Sequence, residues 1–170
     1  NGNKTHTNGG GAIYSRGNLT IDSCHFKNNT AIGKDTHGFD LCGGAISIGL
    51  GDLLVTDSTF TNTTAAADGG AIGANYMYAV VTVLNSIFTN SRGTTCGGAI
   101  YIDVGSITVI GSTFTNTSTT NNYSSLYGGG AIYTNRGNVT VTNSDFINTT
   151  SYCGGAIYTN IGNVTVTNSD

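Results

Sequence analysis

The tetrapeptide Gly-Gly-Ala-Ile occurs six times in this chain, with its alanine at Ala12, Ala45, Ala71, Ala99, Ala131 and Ala156. The copies lie 25 to 33 residues apart. Repetition at that period marks a solenoid, in which one short unit cannot bury a face alone and stacked units can. A second marker, Phe-x-Asn, follows each of the first five copies: Phe26-Asn28, Phe60-Asn62, Phe88-Asn90, Phe114-Asn116 and Phe146-Asn148. The segment from Ala to Phe is nearly constant in length, and the insertions fall between Phe-x-Asn and the next Gly-Gly.

Aligning the copies on Phe brings out aliphatic columns. Seven residues before it stand Leu19, Leu53, Val81, Ile107, Val139 and Val164; five before it stand Ile21, Val55, Val83, Val109, Val141 and Val166. The position between them is Thr in five coils and Leu54 in the other. This period-two alternation predicts a strand with one buried face. The Ile of Gly-Gly-Ala-Ile marks a second strand and Phe-x-Asn a third. A Gly-Asn type corner separates the first two strands, except at Ala79-Val80 beside the insertion Tyr76-Met77-Tyr78. The fold class expected is therefore all-β: a parallel β-helix of about six coils, right-handed as parallel crossovers are. At ~4.8 Å per coil it makes a rod about 29 Å long. Residues 1–170 form one repeat array, cut within a repeat at the C-terminal end.

Composition agrees. Asn, Thr, Ser and Gly make up 88 of 170 residues, with no Pro, Glu or Trp. Such a chain forms little helix. The absence of proline fits a backbone whose N–H groups are nearly all engaged. Six basic residues and a net charge of −3 leave no footprint for nucleic acid, and no apolar run is long enough to insert in a membrane as a helix. The chain starts without Met and without a signal-peptide pattern, as a mature or internal piece would.

The paired Gly-Gly-Ala-Ile and Phe-x-Asn motifs resemble the polymorphic outer-membrane protein repeat. They resemble still more the repeats of adhesin-like surface proteins of methanogenic archaea. The bacterial repeat is usually Phe-x-x-Asn, which only Phe26-Asn29 satisfies here. The resemblance covers the whole chain and implies a β-helical, secreted stalk or passenger with a structural or adhesive duty, without catalytic residues.

Several residues are candidates for particular roles. The Asn of Phe-x-Asn (Asn28, Asn62, Asn90, Asn116, Asn148) is expected to form an internal amide ladder, each side chain bonding its counterpart one coil away. The Ser two residues before Phe is expected to stack likewise, with Cys24 in its place in the first coil. Leu54, Leu84 and Ile110 should point outward near Tyr76, Met77 and Tyr78. That makes either an apolar contact patch or a surface covered by the insertion. Nine Asn-x-Ser/Thr sequons occur. Four belong to the ladder and should be unavailable. Asn18, Asn138 and Asn163 at corners, with Asn3 and Asn122 in loops, are the candidate glycan carriers.

Cys42, Cys96 and Cys153 each precede Gly-Gly-Ala in alternate coils, ~10 Å apart and too far for a disulfide. Buried free thiols are the expected state, with Cys24 and Cys42, which lie in neighbouring coils, as the pair that could bridge instead. With His25 and His37 they match no usual zinc spacing. No metal or other cofactor is expected. The nine Asp scatter over different columns without an Arg or Lys column, so no enzyme active site is expected.

The reading is an extracellular, cell-surface structural or adhesive protein. It acts as a β-helical stalk, or as a fibre-forming subunit that stacks end to end. Its expected partners are its own copies or the remainder of a longer chain, and a host or cell-surface glycan or protein. No capping segment is visible at either end, which fits both versions. A carbohydrate-binding or polysaccharide-cleaving β-helix is the alternative, and an ice-binding solenoid with outward Thr columns the third.

Overall fold

The computed structural model describes residues 3–5, 9–32, 42–120 and 128–170. The fold is all-β, with every strand pair parallel, and the sheets stack as a solenoid of about five complete turns. One sheet runs through all six coils. It carries the strands that follow Gly-Gly-Ala and, alongside, the strands with the Val and Ile columns. A five-stranded sheet carries the Phe strands: His25–Lys27, Thr59–Thr61, Ile87–Thr89, Thr113–Thr115 and Asp145–Ile147. A third sheet, also five-stranded, consists of two-residue strands: Lys4–Thr5, Thr30–Ala31, Thr64–Ala65, Arg92–Gly93 and Ser118–Thr119.

The sequence pattern did not anticipate that third sheet. Its strands are too short for alternation to show. Its sign in the sequence is a column of small residues, Ala31, Ala65 and Gly93, that turn inward. A second difference concerns the middle coils. The third and fourth have no break between their first two strands and run as Ile72–Leu84 and Ile100–Ile110. The insertion is absorbed as a register shift between Ala74 and Tyr78 rather than looped out.

Each conserved-looking motif position has a steric cause. The first Gly of the motif sits at positive φ, +72° at Gly43, where a Cβ would lie 1.9 Å from the Ile46 carbonyl oxygen. At the second, Gly44, a Cβ would meet the Gly70 oxygen of the next coil at 2.1 Å. Only Gly-Gly lets neighbouring coils approach at this corner. The Ala and Ile that follow are buried, and Ala45 N–H and Ile46 N–H both donate to the Ala71 carbonyl of the next coil at 2.9 Å.

Inside, the columns stack like on like. Leu53, Val81, Ile107 and Val139 form one buried file, and Val55, Val83, Val109 and Val141 another. The five Phe rings stack with centroids 4.7–5.0 Å apart and planes within 5°. The spacing is that of the backbone ladder, so side chains and strands keep one repeat.

The corner before the Phe strand is closed by side chains. At three residues before Phe the backbone turns left-handed: Ser23, Asp57, Asn85, Asn143 and Asn168 have φ of 47–53°. Asn and Asp tolerate that conformation, and their column was a sequence signal for this corner. The Ser column follows it. Ser58 N–H donates to Ser86 Oγ at 3.1 Å, and Ser86 N–H to Ser112 Oγ at 3.1 Å. Each Ser hydroxyl donates to a carbonyl two residues back, as Ser86 Oγ does to Leu84 O at 2.8 Å. In the first coil Cys24 N–H donates to Ser58 Oγ at 3.0 Å.

Candidate functional site

With the interior filled by repeated side chains, any contact with another molecule falls to the outward columns. The Asn ladder is one of them. Asn62 Nδ2 donates to Asn28 Oδ1 at 3.0 Å, Asn90 to Asn62 at 3.0 Å, Asn116 to Asn90 at 3.2 Å, and Asn148 to Asn116 at 3.3 Å. All five side chains are exposed, which corrects the expected internal placement. The cause is backbone geometry. These asparagines have φ of 53–56°, and a left-handed residue interrupts the in–out alternation of a strand. The next residues turn inward instead: Asn29, Thr63, Ser91 and Thr117 are buried, and Thr63 Oγ1 donates to Ser91 Oγ at 2.9 Å.

The sequons at Asn28, Asn62, Asn116 and Asn148 are thus solvent-facing, contrary to the expectation that burial hides them. Their distinction from the corner sequons is one of hydrogen bonding. Asn18 Oδ1 accepts from Asp52 N–H, and Asn138 Oδ1 from Asn163 N–H, both at 3.0 Å. Asp52 Oδ1 accepts from Val80 N–H at 3.0 Å in the same column. The corner side chains cap the backbone of the next coil through their oxygen. Asn3, Asn18, Asn138 and Asn163 are exposed; Asn122 lies outside the described residues.

Four outward apolar residues, Leu54, Val80, Leu84 and Ile110, lie in the largest sheet. Leu84 pairs in register with Ile110, whereas Leu54 pairs with Thr82 and so stands in the neighbouring column. Leu54 is 37% exposed, Ile110 39% and Leu84 half-buried. Val80, which the sequence marked only as a break in the corner column, joins them at 46%. Tyr78 stands 84% exposed. The side chains of Tyr76 and Met77 lie outside what the structure describes.

The residues preceding Gly-Gly form a further column: Cys42, Asp68, Cys96, Gly128 and Cys153. Its members cover the outer face of the following coil. A Cβ at Gly73 would come within 2.7 Å of Cys42 Cβ, so the glycine makes room for the thiol. Cys42 Sγ donates to Asp68 Oδ2 at 3.8 Å, and Cys96 N–H to Asp68 Oδ1 at 2.7 Å. Burial, reinforced by the Asp68 carboxylate, pushes both the Cys42 and Cys96 thiols well above their usual range. Burial and the Asp68 and Asp103 carboxylates do the same to the Tyr101 phenol.

Cys24 and Cys42 are not bridged. Cys24 belongs to the Ser column and donates to Asp22 O at 3.1 Å, while Cys42 belongs to the Gly-Gly corner. Adjacent coils do not bring different columns together, and that rules the pair out. His37 lies outside the described residues. Among the described residues no three His, Cys, Asp or Glu side chains converge as a metal site, and no helix is long and apolar enough to cross a membrane.

The geometry defines the class of object, a parallel β-solenoid with an exposed amide ladder and outward apolar residues on its largest sheet. Comparison with family models, curated proteins and solved structures finds no match to this chain.

Proposed function

We propose that this chain is a structural and adhesive surface protein: a β-solenoid stalk or fibre subunit displayed outside the cell. The supporting observation is the sameness of the coils. Every coil repeats the same kinds of inner column, with aliphatic residues facing aliphatic residues and Phe facing Phe, so the rod can lengthen without a new core. On this reading the contact surface is the apolar face of Leu54, Val80, Leu84 and Ile110, and it meets a glycan or protein on another surface. No catalytic step is assigned to it.

The test is immunogold negative-stain electron microscopy on intact source cells, with intact-mass measurement of the labelled protein. Label on thin surface projections is the expected result. Label confined to the cell interior would overturn the proposal.

A further inference from the structure

We propose that a second contact surface, on the two five-stranded sheets, binds an acidic polysaccharide: a chain of hydroxyl-rich sugar rings that carries carboxylates. The inference goes beyond the reading above, because it uses other sheets and does not depend on where the chain is displayed. It starts from how few charges the chain has and how they are sorted. Three outward columns run side by side around the Asn corner. One leads from Lys27 through Thr61, Thr89 and Thr115 to Ile147. The next is the Asn ladder, from Asn28 to Asn148. The third leads from Lys4 through Thr30, Thr64, Arg92 and Ser118 to Thr150.

Lys4, Lys27 and Arg92 are three of the five Lys and Arg side chains among the described residues, and all three are exposed. None of the seven Asp among the described residues falls in these columns. The three cations therefore stand together on a chain whose formal net charge is −3. An anion held there is attracted by this face and not by the molecule as a whole.

Between the cations the surface offers hydroxyls and amides. Ile147 is the one apolar side chain in the three columns, so the face has almost nothing to insert into a lipid surface. Each amide carries two N–H donors, and the ladder uses one of them. The Thr and Ser hydroxyls donate and accept. These are the groups that recognise sugar hydroxyls. The coil step is ~4.8 Å, close to the length of one ring along a β-linked sugar chain. Lys27 shares a coil with Thr30, and Thr30 stands two steps from Arg92 through Thr64. A chain laid along the rod would therefore bring carboxylates on alternate rings to Lys27 and Arg92.

The experiment measures binding of the 170-residue chain to immobilised hyaluronan, a β-linked polymer with a carboxylate on every second ring, by biolayer interferometry. Neutral dextran and vesicles of phosphatidylserine and phosphatidylcholine are the comparisons. Expected are saturable binding to hyaluronan that weakens with added salt, and no binding to dextran. Lys27→Gln and Arg92→Gln should each bind about threefold more weakly. Arg136→Gln removes an exposed cation of the largest sheet and should bind as the parent does. Thermal unfolding confirms that each variant is folded. No binding to hyaluronan, equal binding to dextran, tighter binding to the vesicles, or the same loss in Arg136→Gln would overturn the proposal. Immunogold labelling of cells is untouched by any of these outcomes, so the two proposals fail separately.

Discussion

The fifth and sixth coils carry the same seventeen-residue sequence apart from Arg136 and Ile161, yet they are opposite environments. Val139 and Val141 are fully buried, whereas Val164 and Val166 stand about half in solvent. Nothing local distinguishes them. Backbone turns, Asn corner and Ser column are the same, with φ of 50° at Asn143 and 49° at Asn168. A coil's contribution to stability is therefore held in its neighbour, as expected of a quasi-one-dimensional array.

The sharpest way to break the comparison is a charge in each copy. Val141→Asp places a carboxylate among buried Val and Ile and should cost on the order of 4 kcal/mol or prevent folding. Val166→Asp should stay within about 0.5 kcal/mol of the parent. Urea denaturation of both variants measures the difference, and equal losses would show that the two coils are packed alike.

A smaller effect separates the paired glycines. A Cβ at Gly130 would meet the Gly155 oxygen at 2.0 Å and Thr150 N at 2.5 Å, whereas at Gly155 the nearest atom is Thr149 O at 3.6 Å. Gly130→Ala should destabilise by about 2 kcal/mol through overpacking, and Gly155→Ala should be nearly neutral, read as the shift in thermal midpoint.

Smaller again is the ladder. Asn116 makes two amide bonds and Asn148 one. Both substitutions to Ala place a side chain without αL preference at positive φ, so that cost cancels. Asn116→Ala should exceed Asn148→Ala by about 1 kcal/mol.

The weakest effect depends on pH. Cys42 and Cys96 bind their protons more tightly folded than unfolded. Below the ordinary thiol value of about 8.5 both states hold the proton, so stability does not change. Above it the unfolded chain loses protons first and the folded state loses ground. The denaturation midpoint should fall between about pH 8.5 and 10, and Cys42→Ser with Cys96→Ser should flatten that fall. The same burial predicts that Cys24 and Cys153, both half-buried, alkylate faster in the native protein than Cys42 and Cys96.

Much of the architecture was legible because period-two alternation and a fixed Ala-to-Phe distance leave few arrangements for Leu19, Ile21, Phe26 and their counterparts. The pairing of the amides was legible for the same reason, since an Asn in one column must meet an Asn one coil away. Which side they face was not. Alternation carried through Phe60-Thr61-Asn62 points Asn62 inward, and a single left-handed residue reverses it. That conformation is a property of the corner, visible in sequence only as Asn recurring where Gly would also serve. Val80 showed in the sequence only as a break in the corner column, because it replaces the corner Asn in a coil whose first two strands run on without a break. In the column before Gly-Gly the three cysteines were legible from their spacing, whereas Asp68, which bonds both Cys42 and Cys96, was not, because a carboxylate between two thiols breaks the like-on-like pattern.

The hydrogen bonds that join one coil to the next run along the axis of the rod. A pull applied end to end loads the coil-to-coil interfaces in series, so all carry the same tension and the one with the fewest bonds gives way first. Each release of a 25-residue coil would free about 85 Å of chain while the remaining coils stay intact. Under tension such a rod behaves as a stack of sacrificial links, lengthening stepwise and dissipating work at every step rather than snapping at one interface.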